Sequence, residues 1–502
     1  MRLAPTAAGR RTAEPPLVLA LDLGSSSVRA ALFDRLGRAV EGAEAREPHA
    51  LRTDAEGAAE ADPDALREAV FRCVDGALAG AGPRAPEIAA VGACTFVHNV
   101  LGVDAGHQAI TPLYAYADAR AGADAAALRR ELDERAAHDR TGCRLHASYL
   151  PARLRWAART RPDLARRVAR WITIGEYLEL ALFGKAACTY SVASWSGLLD
   201  RRRLAWDGPL LAASGTDAER LSTLTDADAP RRGLRDPFAS RWPALRDVPW
   251  FPAVGDGVAA NLGCGCVTPA RVALTLGTTS AVRAVVPGDP AAVPDGLWCY
   301  RVDRRRSLVG GAPAEGGNVF AWLTRTLGLA PDPALDAALD AMAPDAHGLT
   351  ILPFLQGERS PGWAEGARAA VAGLTTATTP LDLVRAGLEA VACRLALVFD
   401  RLRAALPAEP AVVGGGGALQ RSPAWQQILA DALGVPLRVA EAAEPSARGA
   451  ALLALESLGA IRLEEAPDVA GPPIAPDPAR HAVYRRAGAR QQALYNALLA
   501  SP

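Results

Sequence analysis

Two stretches of this chain share one pattern of apolar and polar positions. Leu19-Ala-Leu-Asp22-Leu-Gly24-Ser25-Ser26-Ser27-Val-Arg29-Ala30 returns as Val272-Ala-Leu-Thr275-Leu-Gly277-Thr278-Thr279-Ser280-Ala-Val-Arg283-Ala284, with one residue inserted. In each copy a continuous apolar run, as in a strand buried on both faces, ends at a glycine followed by consecutive hydroxyl side chains. That predicts a strand turning into a tight loop whose amides and hydroxyls face a phosphate. Two such turns imply two related lobes around one nucleotide. The copies differ at one chemically decisive position. Asp22 of the first is Thr275 in the second, so only the first lobe offers a carboxylate suited to a hydrated magnesium ion.

The rest of the pattern alternates strand and helix. Leu17 to Leu23 and Val28 to Phe33 predict a hairpin, with Asp34 to Gly37 as the following turn. Asp62 caps a helix that has Pro63 at its first position and runs through Val74. Ile88 to Cys94 predicts a buried strand with a polar tip, Phe96-Val97-His98-Asn99. Helices are expected from about Ala121 to Arg140 and from Pro162 to Trp171, and a new apolar segment from Gly255 to Gly263. The second half gives strands around Val272 and Leu308 and helices over Asn318 to Leu327, Leu381 to Leu402 and Pro423 to Leu433. Ala411-Val-Val-Gly414-Gly415-Gly416-Gly417 predicts a strand entering a glycine turn. Four glycines there serve either a flexible turn or the close approach of backbone to a flat or phosphorylated ligand. The two Gly-Ser/Thr turns favour the ligand.

Composition narrows this picture. At 502 residues the chain suits two large domains, and 55 basic against 55 acidic residues give no global pull toward nucleic acid or anionic membrane. The expected boundary lies near Gly265 to Arg271. That gives an extension over residues 1–16, domains over 17–265 and 266–460, and a C-terminal extension over 461–502. Arg10-Arg11 in the first segment raises a twin-arginine signal, but Asp22 interrupts the apolar run behind it, which favours a plain extension. The longest uncharged stretch, Ile88 to Val103, is too short to span a bilayer. Lys185, the only lysine, sits in Phe-Gly-Lys-Ala, which excludes a Walker A loop, and no GxGxxG follows the first strand, which disfavours a dinucleotide site. The eight cysteines show no CxxC spacing. Cys264 and Cys266 read either as a redox or metal pair or, beside Gly263 and Gly265, as packing residues in a reducing compartment.

These residues carry a resemblance. From about Leu17 to Ala460 the chain is similar to carbohydrate kinases of the FGGY family, within the actin-like ATPase superfamily. The matching phrases are Asp22-Leu-Gly-Ser-Ser-Ser-Val-Arg29, Val254-Gly255-Asp256-Gly257, Gly357-Glu358-Arg359-Ser360-Pro361 and Ala369-Ala-Val-Ala-Gly373-Leu374. Asp382-Leu383, Ala386-Gly387-Leu388-Glu389 and Glu444-Pro-Ser-Ala-Arg448-Gly449-Ala450 complete the set, with Gly387 a departure. In the N-terminal signature around Tyr149 to Trp156, Arg153 stands where the family usually has lysine. The resemblance implies an α/β fold of two ribonuclease H-like domains with a duplicated core and ATP in the interdomain cleft. It also implies a cytoplasmic enzyme using ATP and Mg2+, with a small-molecule sugar or sugar acid as partner. Neither nucleic acid nor membrane is expected, and a homodimer is the family's common assembly.

The resemblance assigns roles by position. Asp256 is the expected catalytic base, the other reading being a turn aspartate capping a helix from Val258. Asp22 would hold magnesium through water, or merely make a local turn bond. Ser25, Ser26 and Ser27 would meet the terminal phosphates, as would Gly277, Thr278 and Thr279. Gly317 would flank the nucleotide, and Gly415, Gly416 and Gln420 would line the adenosine. His98 is the substrate candidate, against the alternative of a satisfied core histidine. Asp118 and Arg120 either touch the sugar or form an intradomain ion pair that shapes the pocket. Gly257 follows the base where xylulose kinases usually carry Asn and glycerol kinases Gln, which resembles the gluconate kinase branch. An anionic substrate would want an arginine, with Arg144 and Arg153 as candidates. The expected reaction is phosphorylation of D-gluconate at a primary hydroxyl. The alternatives are a xylulokinase-like ketopentose kinase and a non-catalytic, nucleotide-gated sugar sensor.

Overall fold

The computed structural model describes residues 13–499, and the extension expected over residues 1–16 lies outside them except for Ala13–Pro16. In the first half, β1 (Leu17–Leu23) is buried along its whole length, so its continuous apolar run needs cover on both faces. It pairs antiparallel with β2 (Ser27–Phe33), which pairs antiparallel with β3 (Ala39–Pro48). Helix α1 (Pro63–Ala81) starts at Asp62, whose side chain accepts the backbone N–H groups of Asp64 and Ala65. It runs seven residues past the expected end at Val74. Gly76 and Gly80 are helical here, because a Cβ at Gly80 would lie 2.0 Å from the Gly42 carbonyl oxygen of the β3 strand packed against it. Strands β4 (Ile88–Thr95) and β5 (Val254–Gly255) then add in parallel, giving the order β5-β4-β1-β2-β3.

The second half repeats this plan. Strand β6 (Arg271–Leu276) pairs antiparallel with β7 (Ser280–Pro287). Strands β8 (Trp298–Arg301) and β9 (Arg306–Gly311) extend the antiparallel side. Strands β10 (Ala411–Gly415) and β11 (Leu437–Ala440) add in parallel on the other side of β6, and β12 (Ala470–Ile474) closes the sheet antiparallel. Its order, β8-β9-β7-β6-β10-β11-β12, contains β9-β7-β6-β10-β11, which matches β3-β2-β1-β4-β5 in both order and direction. This is the ribonuclease H-like core, built twice. Even the arginine of the repeat keeps its partner: Arg29 Nη1 lies 3.3 Å from Asp22, and Arg283 Nη2 lies 2.7 Å from the Thr275 hydroxyl.

The chain forms two compact units that exchange segments. The first holds the described residues up to Asp133 with Leu145–Gly263 and Glu444–Pro467; the second holds Glu134–Arg144, Cys264–Ala443 and the described residues from Asp468. The helix expected over Ala121 to Arg140 is therefore two, Gly122–Glu131 and Glu134–Thr141, broken where Leu132 turns extended. The second piece sits with the second unit, where His138 Nε2 lies 2.9 Å from the Leu297 carbonyl oxygen and the Gly142 carbonyl accepts from Cys299 N. The helix expected over Pro162 to Trp171, α2 (Pro162–Arg167), is shorter than expected, because Arg170–Ile172 pairs as a strand with Leu101–Val103. All eight cysteines are buried and unbridged, Cys264 and Cys266 in an apolar cluster with Ala273, Val413 and Ala440. Among the described residues no helix is long and apolar enough to cross a membrane.

Candidate active site

In the first unit three parallel strands bring the chemistry together. Register pairs Asp22 of β1 with Cys94 of β4, and Cys94 with Val254 of β5. Asp22 and Asp256 therefore stand at the carboxyl ends of strands two places apart, roughly 10 Å across the sheet. The carboxyl edge of parallel strands is where open α/β sheets bind ligands. Asp256 opens helix α3 (Asp256–Gly263), two residues earlier than the Val258 start considered above. Its Oδ1 accepts the Gly257 N–H at 2.8 Å, and the preceding Gly255 N–H donates to the Ser191 hydroxyl. The carboxylate is half-buried.

Asp22 is buried, and burial pushes its carboxyl above the ordinary range against the opposing pull of Arg29. Cys94 Sγ donates to Asp22 Oδ1 at 3.4 Å, and Arg29 Nη1 also holds Glu444 Oε2 at 2.6 Å. Glu444 is likewise raised by burial, with Arg29 opposing. Two carboxylates that are costly to ionise and share one guanidinium suit a hydrated cation, which lowers that cost. The turn between β1 and β2 is closed by Gly24 N to the Ser27 carbonyl at 3.0 Å. Ser26 is exposed, Ser25 half-buried and Ser27 buried.

His98 lies beside this edge. Its backbone has φ 57°, and its ring meets Tyr149 edge-on at 5.0 Å and Trp195 at 5.5 Å. A Cβ at Gly255 would lie 2.7 Å from Trp195 Nε1, so the aromatic wall reaches the residue before Asp256. Trp195 was not singled out from the sequence, since nothing in its local pattern distinguishes it from a core tryptophan. The Arg153 guanidinium donates to the His98 carbonyl at 2.6 Å and to the carbonyls of Ala147 and Ser148. Among the described residues no carboxylate lies in hydrogen-bond contact with it, and burial pulls its pKa down to about 10, with Asp118 opposing. Arg144 falls in the second unit, paired with Asp295 and Glu134. Asp118 and Arg120 form the ion pair, joined by Glu60 and backed by the Trp156 ring 4.5 Å from the guanidinium.

The second unit by itself gathers three phrases that are far apart in sequence. The turn between β6 and β7 is closed by Gly277 N to the Thr279 carbonyl at 3.0 Å, the counterpart of the Gly24 turn, and Thr278 and Thr279 are exposed. Helix α4 (Gly317–Leu327) begins against it, with Gly317 N donating to the Gly277 carbonyl at 2.7 Å and Asn318 N to that of Thr278 at 3.0 Å. Register pairs Thr275 with Gly415, and Gly416, at φ 96°, would place a Cβ 2.5 Å from the Leu276 carbonyl oxygen. A Cβ at Gly317 would lie 2.7 Å from the Gly277 carbonyl oxygen. Three backbones converge where no side chain fits, beside a helix N-terminus, and this suits the phosphates of a nucleotide. Gln420 is exposed, its amide donating to the Ala440 carbonyl. Sequence reading passed over Glu315, a buried acid next to this cradle.

Comparison with known proteins places the chain in a family. Residues 17–263 match the model for the N-terminal domain of the FGGY family of carbohydrate kinases, and residues 272–458 match that for its C-terminal domain. A gluconokinase of Bacillus licheniformis is 27% identical over 455 residues, 88% of each chain. A xylulose kinase of Streptomyces rubiginosus is 30% identical over 453 residues, 88% of this chain and 87% of its own. The crystal structure of gluconate kinase from Lactobacillus acidophilus superposes with a TM-score of 0.87 at 25% identity, covering 97% of this chain and 98% of that one.

Proposed function

The chain belongs to the FGGY family of carbohydrate kinases, and from that premise we propose that it transfers the terminal phosphoryl group of MgATP to a primary hydroxyl of D-gluconate. Sugar phosphorylation is the family's chemistry; the choice of sugar acid is our reading. The observation that carries it is the Arg153 guanidinium, buried behind His98 and bonded to the carbonyls of His98, Ala147 and Ser148 with no carboxylate in hydrogen-bond contact among the described residues; Gly257 after Asp256, which resembles the gluconate kinase branch, supports the same reading. A cation without a counter-ion is costly to bury unless the site it serves brings the anion. A ketopentose such as xylulose is the second reading, favoured by the 30% identity to the Streptomyces enzyme.

Phosphoryl transfer needs a base at the attacking hydroxyl, a cation across the phosphates and donors that hold the transferring group in line. Asp256 takes the hydroxyl proton, its carboxylate aimed by the Gly257 N–H. His98, with Tyr149 and Trp195 as walls, orients the sugar, and Asp118 with Arg120 shapes the pocket. Thr278, Thr279 and the backbones of Gly277, Gly317 and Gly416 cradle the phosphates, with Ser25, Ser26 and Ser27 as further donors. Gly415 and Gln420 line the adenosine. Asp22 would hold a magnesium ion through its water shell, and the ion would supply neutralisation of the phosphate charge.

Asp22→Asn is expected to raise the half-saturating magnesium concentration by about tenfold or more, as loss of an ion's orienting group usually does, while the sugar KM stays within about twofold. A magnesium titration of initial rates checks this, and an unchanged midpoint removes Asp22 from the site. The acceptor is tested by coupled ADP release over D-gluconate, D-xylulose, L-ribulose, L-fuculose, glycerol and erythritol. D-gluconate should exceed each neutral sugar in kcat/KM by about tenfold or more, the ratio one missing charge contact commands. Preference for a ketose would overturn the sugar-acid reading and keep the kinase.

A further inference from the structure

Glu315 is buried to 1% exposure, and neither carboxylate oxygen has a hydrogen-bond partner in the structure. Its backbone is stitched to the second phosphate turn: the Ser280 hydroxyl donates to the Glu315 carbonyl at 2.6 Å. The next residue, Gly316, leaves so little room that a Cβ there would lie 2.7 Å from the Thr279 carbonyl carbon, and the one after, Gly317, donates to Gly277. The charged groups facing the side chain are Arg394 of helix α5 (Pro380–Arg403), and Glu358 and Arg359 of the loop before it. Arg394 is already spent on Glu358, which also accepts from Tyr495 of the C-terminal helix at 2.7 Å. Among the described residues no ion pair or hydrogen bond of good geometry reaches the Glu315 carboxylate, and only its own backbone N–H and the more distant Arg394 and Arg359 guanidinium groups work against its burial. An ionised carboxylate cannot be kept in such a place at ordinary cost, and it neutralises instead.

We infer that Glu315 carries a proton beneath the phosphate turn of the second unit, and that MgATP binds the protonated protein in preference to the ionised one. The inference rests on the reading of that turn as a nucleotide phosphate site. Burial pushes the Glu315 carboxyl up to about 8, with its own backbone N–H, Arg394 and Arg359 opposing the rise and Glu358 adding to it. A nucleotide brings further negative charge to the turn, so it raises the cost of ionising Glu315 again. By linkage, the affinity is full below the free-state value and is lost as pH rises through it, with a proton taken up on binding. The terminal phosphate of the ligand is itself fully ionised over that range and adds no comparable step.

Calorimetric titration of the whole protein with MgATP, without sugar, tests this between pH 7 and 9 in two buffers of different ionisation enthalpy. The wild type should bind about five- to tenfold more weakly at pH 9 than at pH 7 and take up more than about half a proton at pH 9. E315Q, a neutral near-isostere, should bind equally at both pH values, close to the wild type at pH 7, with no uptake. Wild-type affinity that is flat across this range overturns the inference by itself, whatever the variant's folding. Uptake that persists undiminished in E315Q, or in E315A should the first variant misfold, assigns the proton elsewhere and overturns it too. Absence of MgATP binding at every pH would instead sink the nucleotide reading of the turn, and this inference with it.

Discussion

Asp256→Asn should leave MgATP binding within about threefold of the parent and slow phosphoryl transfer by roughly 10^3-fold, the usual worth of a positioned general base. The asparagine is the informative change. Its side-chain oxygen can still accept the Gly257 N–H at the start of α3, so the helix start survives while the proton acceptor is lost. Asp256→Ala removes both, and comparing the two separates folding from chemistry. Rapid-quench measurement of the phosphorylated sugar, alongside calorimetry for MgATP, gives the two readouts. Transfer by the Asn variant at more than about a tenth of the parental rate would take the base away from Asp256. A protein that binds both ligands with Asp256 intact and transfers nothing would be the nucleotide-gated sensor rather than the kinase.

The repeat was the most legible feature of the chain, for a physical reason. A central strand covered on both faces has to be apolar throughout, and the turn after it has to be small, so both copies advertise themselves in composition. The antiparallel hairpin, the parallel partner and the glycine turn after β10 follow from the same constraint. Elements whose ends are set by tertiary contact were less legible. Gly76 and Gly80 look like a helix stop until Gly42 is seen to pass against the helix. The segment Glu134–Arg144 continues a helical pattern from Gly122, yet it belongs to the second unit together with its partners, Leu297 and Cys299.

The candidate site shows the same division. Asp22, Asp256, Gly277 and Gly416 belong to local phrases whose chemistry can be read in place. Trp195 comes into view only through its contact with Gly255, and Glu315 only through the pairing of Arg394 with Glu358, contacts with no trace in the linear pattern. The choice between Arg144 and Arg153 was open for the same reason. The acids around each one are visible only in the fold: Asp295 and Glu134 for Arg144 and, among the described residues, none in hydrogen-bond contact for Arg153.

Gly449→Ala is expected to lower stability by about 3 kcal/mol, at the upper end for forcing atoms into a closed contact. In the first unit, helix α3 crosses the helix Pro445–Ser457 at two glycines. A Cβ at Gly449 would lie 1.8 Å from the Ala259 carbonyl oxygen, and one at Gly263 would lie 1.8 Å from the Pro445 carbonyl oxygen. Both obstacles are backbone of a helix, so neither can rotate aside as a side chain would, and the helices must move apart. Arg448 makes that movement costly, because its guanidinium binds the carbonyls of Gly37, Gly263 and Pro467 from the same turn as Gly449. For a unit of this size the loss amounts to roughly 6 to 12 °C in the melting midpoint. Helix α3 begins with Asp256, so displacing it also moves the proposed base, and kcat should fall while the KM for MgATP changes little. Gly122→Ala is the control, since a Cβ there meets no atom within 4 Å and the position is helical. If the two alanine variants melt together, the close crossing of these helices is not what holds the Asp256 turn in place.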